Sequence, residues 1–194
     1  MKPVIYETII STIDKNSTAH VTPFGVQKKG ELFVIAPFKP STTLENIVNT
    51  QNAVMNLSDD VRIFASAVVR KQVFEMMPAT KIAGFRLAET LAHHELQLVD
   101  IVEDAERPQL LMQSVYQETH RPFAGFNRAQ AAVIELAVLT SRLQRLPKEK
   151  IITERAYLQI AIDKTAGERE LQAWAWLIEY IDNFYAEQSG LNQA

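Results

Sequence analysis

The sequence predicts an α+β protein, with an antiparallel β domain over residues 1–122 and a C-terminal helical subdomain over residues 123–194. Up to about residue 120, short runs rich in β-branched and aromatic residues alternate with polar turns, which is typical of antiparallel strands. From Phe123 onward, apolar residues recur at intervals of three and four, the spacing that gives a helix one buried face. Hydrophobic residues make up 47% of the chain, which is enough for an ordinary core.

The opening third predicts an antiparallel meander. A hairpin joins residues 4–13 to residues 18–28, and a turn at 28–30 leads into a strand at 31–36. Pro23 has no N–H to donate, which favours an edge position or a bulge. Gly25 has no Cβ, so another group, such as a flat ring, can approach the backbone there. The alternative is a bend at a barrel corner, with Phe24 in the core.

A turn and a short helix are predicted next. Pro37 and Pro40 cannot donate to a sheet ladder, so the strand must stop there. Thr42 and Glu45 have the spacing of a capping box, and apolar residues follow at helical spacing. A helix should therefore begin near Thr43.

The start of this helix is a candidate phosphate site. The unpaired N–H groups and the positive dipole end of a helix attract anions, and Lys39, Ser41 and Thr42 add an ammonium and two hydroxyl groups. The alternative is that Ser41 and Thr42 only cap the helix and that Lys39 is solvated.

The remaining β segments are predicted at residues 53–57, 85–103 and 109–119, with a turn at 104–108. Asp59 or Asp60 is a candidate cap for a helical turn at 61–65.

No metal site is predicted from the histidines. His93 and His94 are consecutive in a predicted strand and point to opposite faces, so they cannot bind one ion together. His20 and His120 are isolated in the sequence. All four are therefore interpreted as structural or surface residues.

Three helices are predicted in the C-terminal subdomain. Asn127 is a candidate N-cap for the first, Pro147 suits the first turn of the second, and Gly167 is expected to end the second. Trp174 lies in the apolar stripe of the third helix and is interpreted as part of the core between helices.

Two arginines lie where the β domain meets the helices. An arginine near a helix start faces the unfavourable end of the dipole unless an anion is close. Arg121 and Arg128 are therefore candidates to bind a phosphate or an anionic substrate. The alternative is a salt bridge to an acidic residue between the two parts of the chain.

Composition excludes several classes of function. The chain has no cysteine, which excludes disulfides, iron–sulfur clusters and thiolate metal sites. A net charge of -3 without a basic stripe argues against nucleic-acid binding. No apolar run reaches the roughly 18 residues of a membrane span, and Glu7 interrupts any signal peptide, so a cytoplasmic protein is expected. Glycine motifs for dinucleotides and for nucleoside triphosphates, and the serine-hydrolase elbow, are all missing.

Several segments together resemble the flavin-reductase-like, FMN-binding split-barrel superfamily. They are Pro37-Phe38-Lys39, Ser41-Thr42-Thr43-Leu44-Glu45-Asn46-Ile47 and Ala53-Val54-Met55-Asn56-Leu57. More narrowly, the chain resembles an uncharacterised branch of unknown function in which a helical segment follows the barrel. That likeness adds the segments at residues 7–9, 23–26, 59–64 and 125–129.

The resemblance implies a six-stranded, Greek-key split β-barrel that binds FMN and forms a homodimer, with two flavin sites at the interface between the chains. It also implies that the isoalloxazine ring packs over residues 22–26, and that Asn56 and the backbone at 59–61 border the flavin or the partner subunit. With the phosphate turn, the FMN-binding residues are then Thr22, Pro23, Phe24, Gly25, Val26, Lys39, Ser41, Thr42, Thr43, Asn46, Asn56, Asp60, Val61 and Arg128.

The resemblance does not itself supply a reaction. The mechanism hypothesised is hydride transfer from NADH, NADPH or a reduced deazaflavin, through FMN, to an unknown acceptor. No catalytic side chain is assigned, because simple hydride transfer to a flavin requires none. Two alternatives stay open. One is a non-catalytic FMN dimer that acts as an electron carrier or sensor, and the other is a dimer that binds a different ligand, such as haem through His20 or His120.

Overall fold

The computed structural model describes residues 3–71 and 74–191. The chain divides into two compact units, Met1–Asp59 with Phe74–Phe123 and Asp60–Val73 with Ala124–Ala194. This division differs from the predicted one in two places. Residues 60–71 lie within the predicted β domain but group with the C-terminal helices, and Phe123 lies within the predicted helical subdomain but groups with the strands.

The first unit is an antiparallel β-barrel with one helix and a small two-stranded sheet. In chain order its elements are β1 Ile5–Ile13, β2 Ala19–Lys29, β3 Leu32–Ile35, α1 Thr42–Thr50, β4 Asn52–Leu57, β5 Met76–Pro78, β6 Phe85–Leu87, β7 Ala92–Val102 and β8 Gln109–Thr119. The barrel closes in the order β1-β2-β3-β8-β7-β4, and β5 pairs with β6. This confirms the predicted six-stranded Greek-key barrel.

Alternation along the strands fills the barrel with apolar side chains. Ile10 of β1, Met55 of β4 and Leu96 of β7 belong to one buried cluster, and Ile47 of α1 packs into the same cluster. Because successive residues of a strand point to opposite faces, the neighbours of these residues point out of the barrel. The helix α1 therefore contributes to the same core as the strands.

The cap of α1 differs from the predicted one. Ser41 is the N-cap, and its Oγ accepts the N–H of Leu44 at 3.3 Å. The predicted cap at Thr42 is therefore wrong by one residue. The predicted capping box is also wrong, because the third residue after Ser41 is Leu44, which has no side-chain oxygen to accept the N–H of Ser41. The helix begins at Thr42, close to the predicted start.

A polar layer covers the outer face of β1, β4 and β7. Side chains from these three strands bond to the backbone of residues 80–87: Ser11 Oγ donates to the carbonyl of Phe85 at 2.6 Å, Asn56 Oδ1 accepts the N–H of Leu87 at 2.8 Å, and Glu95 accepts the N–H groups of Thr80, Lys81 and Ile82. Ser11, Asn56 and Glu95 are all buried. The segment that includes β6 is thereby fixed against the barrel.

The predicted single strand at 85–103 is wrong, because β6 ends at Leu87 and β7 begins at Ala92. Between them the chain bends back to β4. Thr90 Oγ1 donates to the carbonyl of Leu57 at 2.9 Å, and the N–H of Leu91 bonds to the same carbonyl at 2.8 Å. These two bonds to a distant strand interrupt the extended segment.

The second unit contains four helices, α2 Arg62–Val69, α3 Arg128–Thr140, α4 Lys148–Thr165 and α5 Glu168–Leu191. The last three were predicted, and Asn127 caps α3 as expected, with its Oδ1 accepting the N–H of Ala129 at 2.8 Å. Trp174 is 6% exposed within the core of this unit, as predicted. The helix α2 was predicted only as a turn.

Among the described residues, none of the helices combines the length and the apolar character that crossing a bilayer requires.

We expect Leu136→Ala to lower the free energy of unfolding of the helical unit by about 2–5 kcal/mol, because Leu136 is fully buried in its core and truncation leaves a cavity. Leu171→Ala is the matched control. This leucine of α5 is 51% exposed, so we expect a change within about 0.5 kcal/mol. Urea titration followed by tryptophan fluorescence measures both, since the two tryptophans of the chain lie on α5. Equal effects of the two substitutions would contradict this core.

Candidate functional site

The turn between β3 and α1 lies against the turn between β7 and β8. The N–H of Lys39 donates to the carbonyl of Glu106 at 2.8 Å, and its Nζ donates to the carbonyl of Asp104 at 3.0 Å. Lys39 Nζ also lies 3.7 Å from a carboxylate oxygen of Glu103, and the side chains of Lys39 and Glu103 are 41% and 78% exposed. Lys39 is thus partly engaged by the protein itself rather than simply solvated.

A second cation, which the sequence did not indicate, lies at the same turn. Arg107 donates its Nε–H to the carbonyl of Ala36 at 2.9 Å, and its guanidinium lies 4.8 Å from the ring centre of Phe38. Phe38 is 64% exposed. The turn therefore presents two positive side chains and an exposed aromatic ring.

The first turn of α1 leaves backbone donors available for an anion. The side-chain Oγ of Ser41 accepts the N–H of Leu44, and the backbone carbonyl of Ser41 accepts the N–H of Glu45. A helix cannot pair the N–H groups of its first residues internally, and within residues 3–71 and 74–191 no protein group accepts those of Thr42 and Thr43. Two N–H groups are therefore available to an anion, and the phosphate site stays a prediction.

Two other residues predicted in α1 have roles within the fold. Thr43 is buried, and the Nδ2 of the buried Asn46 donates to Thr12 Oγ1 at 3.0 Å. Asn46 therefore ties α1 to β1, which leaves the exposed Thr42 as the side chain of this group that a ligand can reach.

The predicted ring-binding strand, Thr22, Pro23, Phe24, Gly25 and Val26, lies in β2. Here β2 pairs only with β1, since its pairing with β3 is confined to residues 27–29, and the register through Pro23 is continuous. Of the two positions predicted for Pro23, an edge or a bulge, the structure shows the edge. Phe24 packs against the barrel core and Val26 belongs to it.

Gly25 is approached closely by a group of the same chain. A Cβ at this position would lie 2.7 Å from the Cγ2 of Ile5. The side chain of Ile5 thus fills the face of Gly25 on which a Cβ would stand, and a flat ring is not needed to explain the glycine there.

Asn56 is buried by bonds to its own unit. Its Nδ2 donates to the carbonyl of Ile9 at 3.2 Å and to Ser11 Oγ at 3.0 Å, while its Oδ1 accepts the N–H of Leu87. Because these bonds use the donor and acceptor groups of the amide, a structural role explains Asn56 without a ligand.

Asp60 and Val61 are placed by contacts within the helical unit. The carboxylate of Asp60 accepts the N–H of Arg62 at 3.1 Å and pairs with its guanidinium, so Asp60 acts as a local cap, as one alternative expected. Val61 is 1% exposed and belongs to the helical core.

The two junction arginines differ. Arg128, the first residue of α3, is exposed. Arg121 donates to the carbonyl of Glu89 at 2.7 Å and lies 3.5 Å from Asp59 Oδ1, so it forms the salt bridge of the alternative interpretation, although within one unit.

A groove that the sequence did not predict lies beside β3, β7 and β8, with a volume of about 550 Å³. Among its lining residues, the rings of Phe33 and His94 lie 5.0 Å apart, and Lys28 Nζ lies 5.9 Å from the Phe33 ring centre. His94 Nδ1 is 3.0 Å from Ser114 Oγ, and burial lowers the pKa of His94. A neutral imidazole, a phenyl ring and an ammonium on one wall suit a flat anionic group.

The other histidines also make polar contacts. His20 Nε2 lies 2.8 Å from Thr22 Oγ1, and His93 Nδ1 lies 2.9 Å from His120 Nε2. His93 and His94 do point apart, as strand alternation predicted. The contact between His93 and His120 was not predictable from spacing, since it depends on how β7 pairs with β8.

Two family models match the chain. The model described as "Protein of unknown function (DUF447) N-terminal domain" matches residues 6–121, and that described as "Protein of unknown function (DUF447)" matches residues 127–179. The predicted likeness to a branch of unknown function is thereby confirmed. No curated protein matches the chain significantly.

Solved structures share the fold. An FMN-bound protein of Methanosarcina mazei, named with the same family, has a TM-score of 0.78 and 22% identity, covering 92% of this chain and 96% of that one. A protein of Shewanella frigidimarina, named as a flavin reductase with a split barrel domain, has a TM-score of 0.54 and 14% identity, with 65% and 75% covered. Flavoredoxin of Methanosarcina acetivorans has a TM-score of 0.50 and 14% identity, with 60% and 69% covered. The barrel is therefore a split barrel.

We expect Asn56→Ala to lower the free energy of unfolding by about 1–3 kcal/mol, because it leaves the buried N–H of Leu87 without its acceptor. Asn49→Ala, at an exposed position of α1, is the matched control and should change it by less than about 0.5 kcal/mol. Chemical denaturation followed by circular dichroism measures both. If Asn56→Ala were as stable as the wild type, the structural role assigned to this amide would be wrong.

Proposed function

Because the chain belongs to the DUF447 family of proteins of unknown function, we propose that it is an FMN-binding, flavin-reductase-like oxidoreductase that acts as a cytoplasmic homodimer. The observation that carries the proposal is the start of α1, where two free backbone N–H groups lie in the same turn as Lys39 on a split barrel. The FMN-bound family member and the split-barrel protein that is named as a flavin reductase support the choice of ligand.

The phosphate end of FMN fits the turn on energetic grounds. The ion pair between Lys39 and Glu103 is exposed, and pairs of this kind contribute about 0–1 kcal/mol. A hydrogen bond from an ammonium to a phosphate contributes about 1.5–3 kcal/mol. A phosphate that also accepts the N–H groups of Thr42 and Thr43 would therefore displace Glu103 from Lys39.

The ring end has an edge strand beside it. Among the residues that the structure describes, the part of β2 that contains residues 22–26 lacks a strand partner on its β3 side, so its backbone groups there can serve the polar edge of a flat ring. Lys28 of the same strand lines the groove of Phe33 and His94. This supplies apolar and aromatic walls near polar backbone, the usual make-up of a cofactor site.

When bound, FMN supplies the acceptance and release of hydride. The residues of this chain bind and orient: Lys39 and the start of α1 hold the phosphate, and the edge of β2 positions the ring. The donor proposed is NADH, NADPH or a reduced deazaflavin. In a homodimer the partner chain would cover the ring and exclude water from it.

We expect Lys39→Ala to weaken FMN binding by roughly 10-fold or more, which corresponds to about 1.4 kcal/mol for one lost charged hydrogen bond. Lys15→Ala, which removes an exposed lysine from the turn after β1, is the control and should leave the affinity unchanged. Quenching of flavin fluorescence on titration measures both. Unchanged affinity in Lys39→Ala would refute the phosphate assignment, and a wild-type chain that binds no FMN would refute the proposed function.

Turnover is tested separately from binding. We expect the oxidised flavin absorbance of the FMN-loaded protein to bleach under anaerobic conditions when NADH, NADPH or reduced deazaflavin is added, and to return when oxygen is admitted. The control is free FMN at the same concentration with the same donor. If no donor bleaches the loaded protein faster than free FMN, the chain is a flavin carrier or sensor and the oxidoreductase proposal fails.

A further inference from the structure

Three side chains that can bind a metal converge at one end of β7 and β8. They are His93 in β7, Glu118 opposite it in β8, and His120 just after β8. The ligand atoms of all three lie within 4.8 Å of one another, and His93 Nδ1 is 2.9 Å from His120 Nε2. Two nitrogens on one tetrahedral zinc ion, with bonds of about 2.0–2.1 Å, would lie about 3.3 Å apart. The histidines need to separate by only a few tenths of an ångström.

The backbone holds both histidines in place. His93 is fully buried, and its ring lies parallel to that of His120, with 9° between the planes and 5.1 Å between the centres. The N–H of His120 donates to the carbonyl of Leu91, two residues before His93, at 2.7 Å. The two rings are therefore arranged by the fold before any ion arrives.

A buried carboxylate lies behind His93. Glu95 Oε1 is 3.4 Å from His93 Nε2, and Glu95 is itself fully buried and held by the N–H groups of residues 80–82. Histidines that bind metals usually donate their other N–H to such a carboxylate, which fixes the tautomer. Here it places the proton on Nε2 and leaves the lone pair of Nδ1 directed at His120.

The exposed ligand has an orienting partner as well. The hydroxyl of Tyr116 donates to Glu118 Oε2 at 3.1 Å, and the Tyr116 ring lies 5.9 Å from that of His93. Glu118 is exposed, so its carboxylate can rotate toward the two nitrogens. Each of the two ligands that lie on strands thus has a neighbour that orients it: Glu95 orients His93, and Tyr116 orients Glu118.

The charges around the cluster permit a cation. Arg86 opposes the ion, but its guanidinium is bonded to the carbonyls of Leu87 and Ala88. The carboxylates of Glu95 and Glu118 outweigh its single positive charge.

We infer that His93, His120 and Glu118 form a binding site for one divalent transition-metal ion, with Zn²⁺ as the expected occupant. Two imidazoles and one carboxylate form a ligand set of zinc enzymes, and it leaves a fourth position open for water. Nitrogen ligands disfavour Mg²⁺ and Ca²⁺, which prefer oxygen. On binding, the proton on His120 Nε2 moves to its Nδ1 through solvent. The site does not depend on the flavin proposal, since none of its residues belongs to the predicted FMN set.

Isothermal titration of the untagged chain with Zn²⁺, without added flavin, tests the site. We expect about one ion per chain, with no saturable binding of Mg²⁺. His120→Ala should weaken Zn²⁺ binding by roughly 100-fold or more, and Glu118→Gln by roughly 10-fold. Co²⁺ in place of Zn²⁺ should give the intense visible bands of a tetrahedral site, and these should be lost in His120→Ala.

His20→Ala is the matched control, because His20 is a partly buried histidine of the same unit outside the cluster, and it should bind Zn²⁺ like the wild type. Glu118→Gln changes an exposed side chain, so it stays informative if His120→Ala does not fold. Failure of the wild type to bind Zn²⁺ saturably would overturn the inference. Equal affinities in wild type, Glu118→Gln and His20→Ala would overturn it too.

Discussion

The arrangement of the first unit depends on a buried charge that must be satisfied, the carboxylate of Glu95. Burial alone would raise the pKa of Glu95, but the N–H groups of Thr80, Lys81 and Ile82 hold it below its usual value. The carboxylate therefore stays ionised inside the protein, which is possible only while these three donors surround it. Residues 80–82 are consequently fixed on the outer face of β7. The same layer contains Asn56 and Ser11, and it buries His93 beside Glu95.

Local patterns in the sequence were sufficient for most elements of the fold. The strand predicted at 109–119 is β8 to the residue, because a period of two is unambiguous between the turn at 104–108 and the helices. Asn127 was identified as a cap because its amide lies just before an apolar stripe of helical period. The same logic failed at residues 88–91, where two donors bond to the carbonyl of Leu57, a contact between strands that no local pattern records.

The parts of the candidate site formed by residues close together in the sequence could be predicted. The parts formed by residues that strand pairing brings together could not. Ser41 and Lys39 lie next to α1 in sequence, so the turn could be recognised, whereas Arg107 reaches it from another loop. His93 and His94 were correctly separated by alternation. The neighbours of His93 across the sheet follow from the pairing of β7 with β8, whose register shifts twice along the strands, and sequence spacing cannot give those shifts.

The contacts of the histidine pair also account for the full burial of His93 when no ion is bound. When the metal is absent, His93 and His120 can share one proton in a hydrogen bond, and the Nε2–H of His93 points to Glu95. Both ring nitrogens of His93 then have a partner, so the desolvation of His93 is compensated. An ion that replaces the hydrogen bond between His93 and His120 gives both nitrogens a new partner. These hydrogen bonds satisfy His93 without an ion, and the same contacts keep the ligands in position for one.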